Sequence, residues 1–151
     1  MNDAAPAFPA LRIDTDPARL DAALIHRFLS TQSYWARGID AERVATSLRH
    51  SLCFGGYLGD AQVAFARVIT DRATFANLVD VFVLPDYRGR GYGKQLMDAV
   101  IAHPDLQGLR RFTLATSDAH DLYAAYGFTA LARPQTMMER YAPDIYERAV
   151  P

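Results

Sequence analysis

Three cations and three glycines share seven consecutive residues, Arg88-Gly89-Arg90-Gly91-Tyr92-Gly93-Lys94. An apolar run (Val79, Val81, Phe82, Val83) leads into them and stops at Pro85. A helical stripe of Leu96, Met97, Val100 and Ile101 leads out. A strand that enters a helix through such a turn makes an anion site. The first turn of a helix has backbone N–H groups without internal partners, and the peptide dipoles place positive charge there. Glycines let the backbone approach a phosphate closely and adopt positive φ at little cost. The chemistry these residues predict is a pyrophosphate cradle over residues 88–94.

Two common phosphate patterns do not fit. A Walker A loop needs a glycine where Arg88 stands and a Ser or Thr where Gln95 stands. A dinucleotide fingerprint counted from Gly89 and Gly91 needs a third glycine at Lys94. Arg-x-x-Gly-x-Gly does fit, as Arg88, Gly91 and Gly93. Placed after a strand ending Val-x-Pro, that spacing resembles the acyl-CoA-binding signature of the GNAT superfamily of N-acyltransferases. A second stretch, Ala119-His120-Asp121-Leu122-Tyr123-Ala124-Ala125-Tyr126-Gly127-Phe128, is similar to the helix motif Ala-x-x-x-Tyr-x-x-x-Gly-Phe of the same family. Gly127 reads independently as the residue closing a short helix. A strand-like segment, Phe112 to Ala115, lies between the two motifs. The resemblance is firm over residues 61–130 and loose over residues 10–60.

The resemblance implies a division of labour. The cradle (Arg88, Gly89, Arg90, Gly91, Tyr92, Gly93, Lys94) would hold the pyrophosphate of acetyl-CoA, the co-substrate. The pantetheine arm would lie beside the preceding strand, placing Phe82 and Val83 next to the thioester. A backbone N–H there would stabilise the developing oxyanion, a contact worth about 3 kcal/mol in the transition state. Tyr123 would be the acid for the departing thiolate. A thiol ionises near pKa 8.5 and a phenol near 10, so the phenol can donate without ionising first. Tyr126, a turn away from it, reads as packing or rim. Thr116 stands where the family often has Asn, and its hydroxyl could still bond the pantetheine.

The base is less well marked. Many members carry a Glu where this chain has Asn77, which cannot accept the amine's proton. Asp80 is the only carboxylate on that strand. In an unbroken strand Asp80 and Asn77 face opposite ways, and a bulge would bring them to one side. His120 is a second candidate base. A water chain or an acceptor of low pKa is a third route. The acceptor pocket is expected from Tyr34, Trp35 and Phe54, which suit an apolar or aromatic amine. No acidic cluster offers itself to an aminoglycoside or a polyamine. Cys53 reads as a small buried hydrophobe rather than a nucleophile.

The elements that position these groups follow from the punctuation. Residues 1–9 are expected as a flexible tail, and residues 10–151 as a single domain. Residues 10–14 suggest a short strand. Asp16 with Pro17 suggests the start of a helix through Leu29, and Asp40 caps a second. Strands are expected over 53–58 and 61–70, joined at Gly59-Asp60, and over 74–83. A last strand pair is expected at Thr129–Ala132 and Thr136–Tyr141. Strands and helices in this mixed order predict a central mixed sheet with helices on its faces, and the resemblance implies the GNAT fold, an α+β arrangement with a mostly antiparallel sheet flanked by helices.

Composition sets the outer limits. The chain has 151 residues, half of them hydrophobic and 22% charged, enough for one sizeable core. Its net charge of −1 gives no general attraction to nucleic acid or to a membrane surface. One cysteine allows neither an intrachain disulfide nor a cysteine metal cluster, so no metal is expected. The N-terminus lacks the features of a signal peptide, and a cytoplasmic setting is expected. The reading is an N-acetyltransferase acting on a primary amine of a small molecule by direct attack. Two alternatives remain: a non-catalytic acyl-CoA sensor, and a protein N-terminal or lysine acetyltransferase. Many proteins of this fold dimerise, which keeps a homodimer open.

Overall fold

Capping residues and turn chemistry cut the chain into short elements, and the computed structural model describes them over residues 7–147. Five strands form: β1 (Arg12–Asp14), β2 (Leu52–Leu58), β3 (Ala61–Thr70), β4 (Phe75–Val83) and β5 (Arg111–Leu114). Four α-helices accompany them: α1 (Ala22–Thr31), α2 (Ala41–Arg49), α3 (Tyr92–Ala102) and α4 (His120–Ala124). The strands make one sheet in sequence order, antiparallel from β1 to β4 and parallel between β4 and β5. The fold is α+β, a mixed and mostly antiparallel sheet with helices, as the sequence pattern and the resemblance predict.

The chain divides into two compact units. One is built from the residues up to Leu20 and from His50–Ala115, and the other from Asp21–Arg49 and the residues from Thr116 onward. The first unit contains the whole sheet and α3. Gly59, with φ 59°, makes the turn between β2 and β3. At the β3–β4 turn Asp71 accepts N–H bonds from Ala73, Thr74 and Phe75 and the Thr74 hydroxyl bond. Those bonds, the Thr74 hydroxyl first, hold its carboxyl well below the usual range. α3 follows β4, packs on β2, β3 and β4, and buries Leu96, Met97 and Val100 completely. Burying such side chains is the main source of stability here, about 1.5–3 kcal/mol each.

β4 is bulged. Phe65 faces Phe82 and Arg67 faces Val79, so two steps along β3 match three along β4. The extra residue lies at Asp80–Val81, and Asp80 has φ 57°. A non-glycine residue in that region costs about 1–3 kcal/mol and persists only where its surroundings hold it.

In the second unit, α1 buries Ile25, Phe28 and Leu29, and α2 buries Val44. The two helices pack together. Asp40 caps α2 through the Arg43 N–H at 2.7 Å, as its position predicts.

Several expectations need correction. Asp16 and Pro17 start only a single 3-10 turn, Pro17–Arg19. The chain then becomes extended at Leu20, and α1 starts afresh from Asp21, whose carboxylate accepts the Leu24 N–H. The strand pair predicted over 129–141 does not form. Its intended turn is a 3-10 turn, Pro134–Thr136, and all of residues 129–142 are exposed. Pro134 lacks an N–H for a ladder, and strand propensity without a buried face is weak. The predicted tail lies outside the described residues up to residue 6. Its end is tied down: Tyr92 donates its hydroxyl to the Pro9 carbonyl at 2.8 Å, and the Leu11 N–H reaches Gln95 Oε1 at 2.8 Å.

Candidate active site

The strand, the glycine turn and the helix form where their residues predict. β4 ends at Val83, a 3-10 turn spans Pro85–Tyr87, and α3 begins at Tyr92 with Gly91 as its N-cap. Gly89 and Gly91 have φ 77° and 83°. Side chains at those φ values would be strained, which is why the turn needs glycine there. A Cβ added at Gly89, Gly91 or Gly93 would meet nothing within 4 Å, so the surface above the loop is open. No acidic residue lies in the first turn of α3. Open glycine backbone at the N-terminus of an eleven-residue helix fits a pyrophosphate.

The cations are held in different ways. Arg88 donates from Nε to the Val83 carbonyl at 2.9 Å and so braces the end of β4. Arg90 lies over the rings of Phe8 (4.6 Å) and Tyr87 (5.1 Å) and donates to the Asp86 carbonyl. Lys94 is exposed on the first turn of α3. Tyr92 is buried, and its hydroxyl serves Pro9.

β4 and β5 pair only over Phe75–Leu78 and Arg111–Leu114, while β4 runs on to Val83. Phe82 is buried against Phe65, with ring centroids 5.7 Å apart, and Val83 is half-buried. Asn77 faces Thr113 across the rung, and the Thr113 hydroxyl donates to Asn77 Oδ1 at 2.9 Å. The bulge brings Asp80 to the side of the sheet that holds Arg67, the face of Asn77. The Asp80 carboxylate receives Arg67 Nε at 2.9 Å. The parity problem raised by Asn77 is therefore solved by the bulge, but the carboxylate it delivers is tied to a guanidinium.

Cys53 is the rung partner of Arg67 and is buried. Burial pushes its thiol up to about 11, with Arg67 pulling down and Asp80 adding to the rise. A thiol so high is not a thiolate at neutral pH, so Cys53 is no nucleophile. Phe54 is 1% exposed, with its ring edge-on to His103 at 5.5 Å. It is core of the first unit, which corrects its expected place in an acceptor pocket.

In the second unit, Tyr123 is buried on α4, its ring edge-on to Phe128 at 6.2 Å. Burial first, then the Tyr34 and Asp118 charges, raise its pKa above the ordinary 10. Gly127 closes α4 at φ 90°, and the Phe128 N–H returns to the Tyr123 carbonyl. Thr116 Oγ1 accepts the N–H groups of Asp118 and Ala119, so it shapes the entry to α4. Tyr34, 60% exposed, accepts the Ser117 N–H at 3.3 Å, and Trp35 meets it edge-on at 5.0 Å. The fold thus brings Tyr34 and Trp35 into the neighbourhood of α4, far away in sequence. His120 is exposed at the start of α4. Among the described residues no group of three or more His, Cys, Asp or Glu stands ready for a metal.

Sequence reasoning missed Arg67 and the Phe8–Arg90–Tyr87 stack. A signal for the first existed. Arg67 is the lone charge in β3 and Asp80 the lone charge in β4, on two neighbouring strands.

The glycine turn between β4 and α3 and, in the other unit, the Tyr123 helix each carry the motif that resembles the GNAT acyltransferases. Residues 49–130 match the model of the acetyltransferase (GNAT) domain. A protein of Gibberella zeae assigned as an acetyltransferase is 34% identical over 133 residues, covering 74% of each chain. A solved structure from Xanthomonas campestris pv. campestris, assigned to the GNAT family, is 61% identical with a TM-score of 0.91. That match covers 93% of this chain and 99% of the other. A Mycobacterium tuberculosis protein solved with CoA shares the fold at 16% identity and TM-score 0.62, over 80% and 72% of the two chains. The chain belongs to the GNAT family of acetyltransferases.

Proposed function

We propose that this acetyltransferase moves the acetyl group of acetyl-CoA to a primary amine of a small molecule by direct attack. The observation that carries the reading is the open, left-handed glycine turn at the N-terminus of α3, placed directly after β4. Its backbone N–H groups, with the positive end of the helix, hold the pyrophosphate. The end of β4 around Phe82 and Val83 offers backbone to the pantetheine and an N–H to the thioester oxygen. Tyr123 supplies a proton to the leaving thiolate, and its raised pKa keeps it protonated throughout the neutral range. The amine's proton passes to water or to His120, because Asn77 cannot take it and Asp80 is engaged by Arg67. Tyr34 and Trp35 present aromatic surface to an apolar or aromatic acceptor. The setting we assign is cytoplasmic.

One specific observation favours a second reading, an acyl-CoA sensor without turnover. The expected base position is Asn77, bound to Thr113. Tyr123 speaks against it, since a sensor has no thiolate to protonate. The experiment is a thiol-release screen with acetyl-CoA over arylamines, amino acids, polyamines and peptides. Turnover on arylamines or amino acids supports the small-molecule reading. Turnover on peptides alone replaces it with protein acetylation, and binding without any turnover replaces it with the sensor.

A further inference from the structure

The bulge in β4 sits between the part of the strand that pairs with β5, Phe75–Leu78, and the part that continues to Val83. Its direction therefore decides where Phe82 and Val83 lie. The backbone at Asp80 is left-handed, a conformation that costs a non-glycine residue free energy and that its surroundings must offset. A guanidinium grips its carboxylate. Arg67 donates from Nε to Asp80 Oδ2 at 2.9 Å and from Nη1 to the Ser51 hydroxyl at 3.1 Å. The three residues stand on three different parts of the chain: the entry to β2, the middle of β3 and the bulge of β4. Both charges are largely withdrawn from water, at 14% and 7% side-chain exposure, so neither tolerates loss of the other.

We propose that Arg67 is a positioning residue for the acyl donor: it clasps the Asp80 bulge and thereby fixes the course of Val81–Val83 along the pantetheine arm. Asp80 is the clasp's other half and not the general base. The inference rests on the acyl-CoA reading of the β4–α3 loop. It gives a job to a buried ion pair that the proposed chemistry leaves unused.

Glycine supplies the test, because glycine adopts φ near +57° without help. Calorimetry is run with two probes, acetyl-CoA and adenosine 3′-phosphate 5′-diphosphate, which keeps the pyrophosphate and lacks the pantetheine. Arg67→Met should weaken acetyl-CoA binding about tenfold or more, as the strained backbone relaxes, and leave the fragment's affinity within about twofold. Adding Asp80→Gly to Arg67→Met should restore acetyl-CoA affinity to within about threefold of wild type, since the backbone then holds itself. A merely structural pair would lower both probes together, and no glycine rescue would be selective for the longer one. If Arg67→Met does not fold by circular dichroism, the double variant alone decides: wild-type-like acetyl-CoA binding is expected. Acetyl-CoA binding unchanged in Arg67→Met, or a double variant that binds the fragment but not acetyl-CoA, overturns the clasp. A wild-type protein that binds neither probe overturns the acyl-CoA reading itself.

Discussion

The β4–α3 junction and the segment after α4 are both expected from sequence to hold regular structure, and they fold very differently. The junction has glycines whose φ values only a turn requires, an apolar strand before it and an apolar stripe after it. Each local preference agrees with its neighbour, and α3 drives the matter home by burying Leu96, Met97 and Val100. Residues 129–142 have strand-forming types but no such agreement. Pro134 breaks the run, and Met138 and Tyr141 stand 97% and 73% exposed. A pattern of residue types specifies structure only where turn chemistry and a face to bury coincide.

The largest effect that sharpens this contrast lies at the chemistry. Tyr123→Phe should lower turnover about a hundredfold, the usual range for losing a general acid. Acetyl-CoA affinity by calorimetry should stay within about twofold. The same variant fixes the pH behaviour. Tyr123 works while protonated, and burial raises its pKa above 10, so its ionisation can lower turnover only above that value. The alkaline fall in the wild-type pH profile should lie above pH 10 and vanish in Tyr123→Phe.

Next comes Gly91→Ala in the junction. An alanine at φ 83° is strained by about 1–2 kcal/mol. Acetyl-CoA affinity should fall about tenfold, although the added methyl meets no neighbour. Phe8→Ala is smaller. It removes one ring from Arg90, a contact worth about 0.5–1 kcal/mol at an exposed site. Acetyl-CoA affinity should drop a few-fold. At the bottom of the scale, Met138→Ser should change the unfolding free energy by less than about 0.5 kcal/mol. A larger loss in a denaturant titration would mean that the segment after α4 is structured by contacts its exposure does not reveal.

The same physical distinction explains what the sequence made legible. Asp40, Gly59, Gly91 and Gly127 act through bonds and dihedral angles within a few residues, and each is where its type and spacing predict. Asp16 and Asp21 show the limit of such rules. Both cap a first turn, Asp16 ahead of Pro17 and Asp21 ahead of Ala22, and only the helix from Asp21 goes on to bury Ile25, Phe28 and Leu29. Phe54 looked like a neighbour of Trp35 by type and is core, because its strand position turns it to His103. Arg67 and Asp80 are thirteen residues apart and meet only through the β3–β4 register. The proximity of Tyr34 to the start of α4 spans still more chain and depends on packing within the second unit.

The central claim is that the glycine turn before α3 is the acyl-CoA cradle, and calorimetry of acetyl-CoA with wild type and with Gly91→Glu tests it most directly. A glutamate there adds a side chain and a negative charge at the helix N-terminus, where the phosphates belong. The prediction is saturable binding by wild type and no detectable heat for Gly91→Glu, in a variant that still melts cooperatively. Equal binding by both proteins, or none by wild type, would contradict the account.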